Sequence, residues 1–431
     1  MLKAGFARID ITPPFGTILS GYFYPRYTDG VLDPLQLNAL AVSNGNDTAL
    51  IIVADIIGIR RKVTEAIRTR IEKKHGVKAD HIMVSALHQH TSFRWADTPE
   101  RQSTEDPAFI DVLYRKFEDV AKMALDDMQE ATLETAVRET AVQISFTRRY
   151  IMKDGPVATN PGRCNPNIVR PASDPDNNVR LLRFRRPGAK DIAFVNFSTH
   201  PDVIGGTKAS ADWPGFVRRY VEKDNENAVC ILLNGAQGDV NHLDFSKAKQ
   251  FDNRYEYSAF MGRTIADTVK EIWDTTVPHE RDDIFGEITT IYTRTNDEGA
   301  EKYDECKKFC DAADANTLGY KPHITELAYN YRIVRLRNEP IFRPVPVSVI
   351  GIGDVAIVGF GGEPFTVYAT NARNAAPDKF VIAACCTNGY EGYLPSAVAF
   401  TEGGYESSGS FFTSEIEEKC CNAAKEMLAK F

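Results

Sequence analysis

The chain has 431 residues, a formal net charge of −8 and 43% hydrophobic residues. That length buries a large core, and the composition is that of a globular protein rather than a disordered or fibrous one. The acidic balance argues against nucleic acid as the main partner, because phosphate binding needs a clustered basic surface.

The N-terminal stretch MLKAGFARIDITPPFG, residues 1–16, lacks the apolar core of a secretory leader, and the expected location is the cytoplasm. Residues 48–59, TALIIVADIIGI, predict a strand interrupted by Asp55. This run falls well short of the roughly 20 apolar residues a spanning helix needs, so no transmembrane segment is expected. A helix over 61–75 (RKVTEAIRTRIEKKH) and a strand over 81–87 (HIMVSAL) follow. The helix is basic, but its acidic interruptions and period are those of a solvated face. Residues 192–200 (IAFVNFSTH) predict a strand ending at His200. Asp212, just ahead of Pro214, reads as an N-cap with proline in the first helical turn. A strand over 228–239 (AVCILLNGAQGD) ends in a glycine turn, and 254–275 has apolar residues at helical spacing. The chain closes with a strand over 354–365, a helix over 366–376, a strand over 379–386 and a helix over 412–431.

Strands alternating with helices indicate an α/β protein. No Gly/Ser-rich or Pro-rich linker divides them, so residues 1–431 are expected to form one large domain. Residues 49–90 and 354–393 repeat the order strand, acidic residue, helix, strand, polar cluster. Either a pseudo-symmetric pair faces a common site, or the recurrence is the ordinary one of α/β chains. The eight cysteines are sparse and include two adjacent pairs, which suits free thiols. Cys306 and Cys310 lie one helical turn apart with no further ligand nearby, a structural helix.

Histidine is scarce, yet His88, His90 and His200 all fall at the ends of apolar strands, where α/β folds place ligands. On a strand, His88 and His90 would point to one face. A lone histidine there most often satisfies a local hydrogen bond. An HxH pair, a third strand-end histidine and the glycine-flanked Glu363 together favour a metal, and imidazole with carboxylate suits zinc. No G-x-S-x-G elbow or phosphate loop is present. Asp55, Asp212, Asp239, Asn241 and His242 keep a two-metal phosphoesterase as the second enzyme reading.

In order, GFARIDITPPFG, SALHQHTS, FTRRYIMKDG, NFSTHPDVIGG, NGAQGDVNH, GGEPFT and TNGYEGYLP resemble the motifs of the neutral/alkaline (non-lysosomal) ceramidases. The resemblance spans nearly the whole chain and implies a mixed β core flanked by helices, the family's catalytic domain. It implies a catalytic-domain-only member, the family's immunoglobulin-like β-domain having no counterpart. By the same resemblance, His88, His200, Glu363 and Tyr393 match zinc ligands. His90, Arg148 and Tyr405 match residues contacting the substrate amide and its neighbouring hydroxyl, with Arg149 the alternative to Arg148. Where the family has a serine after GDV, this chain has Asn241, which cannot accept an acyl group, so a covalent serine route is excluded. The implied activity is zinc-dependent hydrolysis of a secondary amide, an N-acyl sphingoid base (ceramide) or a related N-acyl amide, by activated water. The rival outside enzymology is a carbohydrate or lipid binding protein with a vestigial metal site. Two polar loops, 91–102 and 160–176, are expected to shape the entrance, and their arginines suit a more polar or anionic amide.

Overall fold

The computed structural model describes residues 1–95, 107–153 and 155–431. In the first principal sheet, β1 (Lys3–Asp10), β2 (Gln36–Ser43) and β3 (Thr48–Ala54) pair antiparallel, and β4 (Ile82–Ala86) lies parallel to β3. The crossover is α1 (Arg61–His75), closed by Gly76 in the left-handed conformation at φ 75°. Helix α2 (Pro107–Asp126) packs beside it. The second sheet joins β5 (Thr132–Glu139), β6 (Asn178–Arg185), β7 (Asp191–Phe197) and β8 (Ala228–Asn234). Here β7 and β8 are the parallel pair, linked through α3 (Asp212–Asp224), on which α4 (Arg254–Ile272) packs. Asn253 caps α4 by accepting from the amides of Tyr255 and Glu256.

The third sheet contains β9 (Ile284–Arg294), β10 (Phe342–Ile352), β11 (Val355–Phe360) and β12 (Phe380–Ala384). Between β9 and β10 the chain forms α5 (Tyr303–Asp314) and α6 (Ile324–Arg335). The parallel pair is β11 with β12, crossed over by α7 (Thr366–Ala375), and α8 (Glu415–Leu428) covers this sheet. The fold is therefore a single mixed α/β domain, as expected. The strand–helix–strand unit recurs three times, not twice, because β7–α3–β8 is a further copy.

Strands β2 and β3 are apolar on both faces. Leu40, Val42, Ile51 and Val53 pack toward Phe184 and Phe194 of the second sheet, while Leu37 and Ile52 pack with Ile67 of α1 and Phe117 of α2. Burial on both sides is why these strands read as continuous hydrophobic runs rather than alternating ones. The C-terminal ends of the three parallel pairs are stitched together. The amide of Ala86 donates to the Cys386 carbonyl at 3.1 Å, and that of Cys385 to the Asn234 carbonyl at 3.1 Å. The side chain of Asn234 donates to the Leu87 carbonyl at 3.1 Å. Such bonds satisfy main-chain groups that have left their ladders inside the core.

Several boundaries differ from expectation: the strands expected over 48–59, 228–239, 354–365 and 379–386 run Thr48–Ala54, Ala228–Asn234, Val355–Phe360 and Phe380–Ala384, and the closing helix runs Glu415–Leu428. The strand before His200 stops at Phe197, the strand before His88 stops at Ala86, and the helix over 254–275 ends as a 3₁₀ turn from Trp273. Asp212 is not an N-cap. That position belongs to Ala211, and Asp212 opens the helix at φ 51° with its carboxylate accepting from the amides of Trp213 and Ile204 and from the Ser258 hydroxyl. Cys306 and Cys310 sit buried on α5, and all eight cysteines are free thiols. No helix among the described residues is long and apolar enough to cross a membrane.

Burial pushes the Asp212 carboxyl up to about 6 from 3.8. Because the folded state holds this proton more tightly, Asp212 favours folding most below about pH 4, and that advantage is lost as pH rises through about 6. Relative to wild type, the never-charged Asp212→Asn is expected to gain stability between pH 4 and 7, by at most roughly 3 kcal/mol. Urea unfolding at a series of pH values measures the difference; a flat difference would mean that the carboxyl titrates normally.

Candidate metal centre

His88 and His90 lie beyond the end of β4, so strand alternation is not what brings them together. His88 has φ 75°, a left-handed backbone that costs a non-glycine residue on the order of 1–3 kcal/mol and concentrates at functional sites. It is held there by its amide, which donates to the Ile56 carbonyl at 3.0 Å. The kink still brings the two rings together, their centroids 5.2 Å apart and nearly perpendicular. His90 is seated by its amide on the Pro201 carbonyl at 3.1 Å. Gly21, at φ 106°, lets the preceding loop close over it, since a Cβ there would fall 2.6 Å from the His90 ring.

His200 approaches from the second sheet, and ring nitrogens of His88, His90 and His200 lie within 4.8 Å of one another, a cluster that could hold a metal ion. Tautomers follow from the outer nitrogens. His88 Nδ1 lies 2.7 Å from the Ile57 carbonyl, and His200 Nδ1 lies 2.8 Å from the Gln237 carbonyl. A carbonyl only accepts, so each Nδ1 carries the proton and each Nε2 presents a lone pair. Both Nε2 atoms lie 3.2 Å from one oxygen, Glu363 Oε2. That oxygen has no well-aligned hydrogen bond of its own. Burial, with Arg148, lowers His200 and favours its neutral ring. Two lone pairs and an anionic oxygen at this separation repel unless a cation lies among them. The residues present therefore fit a divalent metal with nitrogen and oxygen ligands.

Glu363 is positioned by a short parallel ladder in which it is the partner of Tyr393, and its other oxygen accepts from the Tyr390 hydroxyl at 3.0 Å. Tyr393 stacks beside His200 with centroids 6.4 Å apart. Arg148 fills the space behind, its guanidinium 5.1 Å from the Tyr393 ring centroid and 5.7 Å from that of Tyr405. Its Nε lies 2.7 Å from Glu406 Oε1, and its Nη1 3.5 Å from His200 Nε2. Arg149 turns away to pair with Glu402 and Glu406, so Arg148 is the arginine that faces the histidines. Burial pushes Tyr405 up to about 12 and Tyr393 well above its ordinary value, so both are hydroxyl donors at neutral pH. Burial, then His88, holds His90 well below its usual pKa, as a neutral ring.

His88, His90, Glu363, Tyr390, Tyr393 and Tyr405 open onto a cavity of about 300 Å³. The phosphoesterase set does not converge there. Asp55 is bonded by Arg218 at 2.6 and 3.0 Å, and Asp239 accepts from the amide and hydroxyl of Thr366. Asn241 donates to Asn160 and accepts from the Leu243 amide, while His242 pairs with Asp202 at 3.0 Å. Of the two expected entrance loops, Arg94 lines the cavity, residues 96–102 lie outside the described residues, and 160–176 does not reach the lining. Tyr390 and Glu406 were missed. Tyr390 stands in the same TNGYEGYLP stretch as Tyr393 and Glu406 directly follows Tyr405, but no spacing rule separates one tyrosine from its neighbour three residues away.

Solved structures of similar fold include neutral ceramidase from Pseudomonas aeruginosa, which is 15% identical. That match covers 99% of this chain and 74% of that one, with a TM-score of 0.72. A ceramidase complexed with C2 is 14% identical over the same shares, with a TM-score of 0.70. No protein-family model and no curated protein matches the sequence.

Proposed function

We propose that this chain is a zinc-dependent amide hydrolase acting on N-acyl amides, with N-acyl sphingoid bases (ceramides) within the class tested. The observation carrying this reading is the convergence of two imidazole Nε2 atoms, of His88 and His200, on one Glu363 oxygen at the edge of a cavity. His88, His200, Glu363 and Tyr393 would hold the zinc, which when bound supplies Lewis acidity and an activated water at neutral pH. The likeness in fold to ceramidases supports the choice of amide over phosphate ester, as does the dispersal of the alternative ligand set. Tyr390 orients Glu363, and Arg148, locked by Glu406, holds a fixed positive charge beside Tyr393 and Tyr405. The neutral His90 ring and the Tyr405 hydroxyl would contact a carbonyl oxygen as charge develops on it. One such donor commonly contributes roughly 3–4 kcal/mol to the transition state.

The test is zinc content of the purified protein together with turnover of short- and long-chain ceramides beside soluble N-acyl amides. One zinc per chain and hydrolysis of an amide are expected. Phosphate-ester hydrolysis without amide turnover would sink the reading, and ligand binding without turnover would leave a binding protein. Asn241 gives a further expectation. Its side chain serves Asn160 and the Leu243 amide rather than the cavity, so Asn241→Ala is expected to retain activity within a few-fold while losing about 1–2 kcal/mol of stability. An acyl adduct on the native protein during turnover, seen by intact mass, would overturn direct attack by water.

A further inference from the structure

The wall of the cavity facing the histidines is built by one side of α6. Ala328, Tyr331, Arg332 and Arg335 line it, at the i, i+3, i+4, i+7 spacing that puts residues on one helical face. Arg60, Arg94 and Arg343 also line the cavity, so five guanidinium groups meet two lining carboxylates, Glu363 and Glu391, in a chain whose net charge is −8. Glu363 belongs with the histidines. Glu391 lies 3.2 Å from Arg60 and 3.0 Å from Arg343, and Glu339 pairs with Arg343 as well. Arg332 is different. It is buried, and its Nε, Nη1 and Nη2 donate to the carbonyls of Ser408, Asn296 and Glu298 at 2.9–3.0 Å. Carbonyl dipoles hold the group, and no carboxylate among the described residues forms an ion pair with it, the Glu298 charge acting on it from farther away. A guanidinium has five N–H donors, so two remain after those three bonds. Its position is a fixed positive charge on a cavity wall. Arg335, at the exposed end of the same face, adds a second guanidinium beside the Tyr331 ring.

Apolar chains gain little from such a wall, and a cavity of about 300 Å³ is at the small end of ligand sites. We propose that the amide substrate carries an acidic group, a carboxylate or sulfonate, which docks against the Arg332–Arg335 face of α6 while the amide lies at the histidine centre. This rests on the amide-hydrolase reading for the reaction, but the charge preference is a property of the cavity by itself. The acyl chain then has Phe23, stacked on Tyr331 with centroids 5.4 Å apart, as its apolar neighbour.

The experiment compares N-octanoylglycine with its own methyl ester, which removes the charge and little else, and with N-octanoyltaurine and a short-chain ceramide. Binding is measured by calorimetry on protein stripped of metal, so that no turnover is needed, and hydrolysis is measured on protein loaded with zinc. The acid is expected to bind at least about tenfold more tightly than its ester, with the preference shrinking as salt is raised. Arg335→Gln, on an exposed position, is expected to weaken the acid several-fold and leave the ester unchanged. Arg332→Gln is read only if its thermal melt matches wild type. Equal binding of acid and ester, or an unchanged ratio in Arg335→Gln, overturns the proposal whatever the turnover shows. Preferential binding of the acid without hydrolysis of any amide upholds the acidic docking face and instead removes the amidase reading. A taurine preference over glycine would assign the acidic group as a sulfonate.

Discussion

Zinc content is expected to fall from one per chain to near zero in His200→Ala and in His88→Asn, with kcat/KM for the amide reduced a thousandfold or more. The proposed ligand set leaves little redundancy, because each histidine supplies one of two Nε2 atoms facing Glu363 Oε2 at 3.2 Å. Removing either leaves Glu363 with one imidazole partner in a buried site, and a three- or four-ligand zinc site does not survive such a loss at ordinary metal concentrations. The choice of substitution matters at position 88. Its φ of 75° disfavours alanine, whereas asparagine tolerates the left-handed region, so His88→Asn separates loss of the ligand from backbone strain. Folding is a second readout. A metal that binds only the native state raises the melting temperature of wild type, and that zinc-dependent rise is expected to disappear in both variants. Elemental analysis showing wild-type zinc in both would remove these residues from the ligand set.

His90→Ala and Tyr405→Phe are expected to behave in the opposite way, keeping stoichiometric zinc while kcat falls by about 10²–10³. Tyr405→Phe deletes a hydroxyl and keeps the ring, which is packed against Tyr393 at a centroid distance of 5.4 Å, so the stability change is expected to be small. The His90 experiment carries the sharper consequence. Its nitrogens lie as close to those of His88 and His200 as a third ligand's would, and its Nε2 is buried without a hydrogen-bond partner. If His90→Ala loses zinc, His90 is a ligand and the contact with the substrate passes to Tyr405 and Arg148. If zinc stays and the rate falls without a matching rise in KM, the lost interaction is one made only in the transition state.

The amino-acid sequence alone determined the elements that carry the centre. The apolar runs read over 48–59 and 228–239 and the amphipathic period of 61–75 are local properties, and they contain β3, β8 and α1. The residue types of a metal site were also legible, because three of only eight histidines and one glycine-flanked glutamate all followed apolar strands. What the sequence could not decide is how these groups face one another. His88 and His90 converge through a left-handed kink that no alternation rule contains. Glu363 and Tyr393 come into register through a two-residue ladder between segments thirty residues apart. Arg148 and Arg149 are equivalent as letters; only the buried Glu406 beside them, reached across more than 250 residues, turns one toward His200 and the other away. The arginines of α6 drew no reading from the sequence, and they line a cavity wall because the segment between β9 and β10 folds back over the strand ends. Local propensity depends on neighbours within a turn or two, whereas a site made where three sheets meet depends on long-range packing, which reaches the sequence only through residues far apart in it.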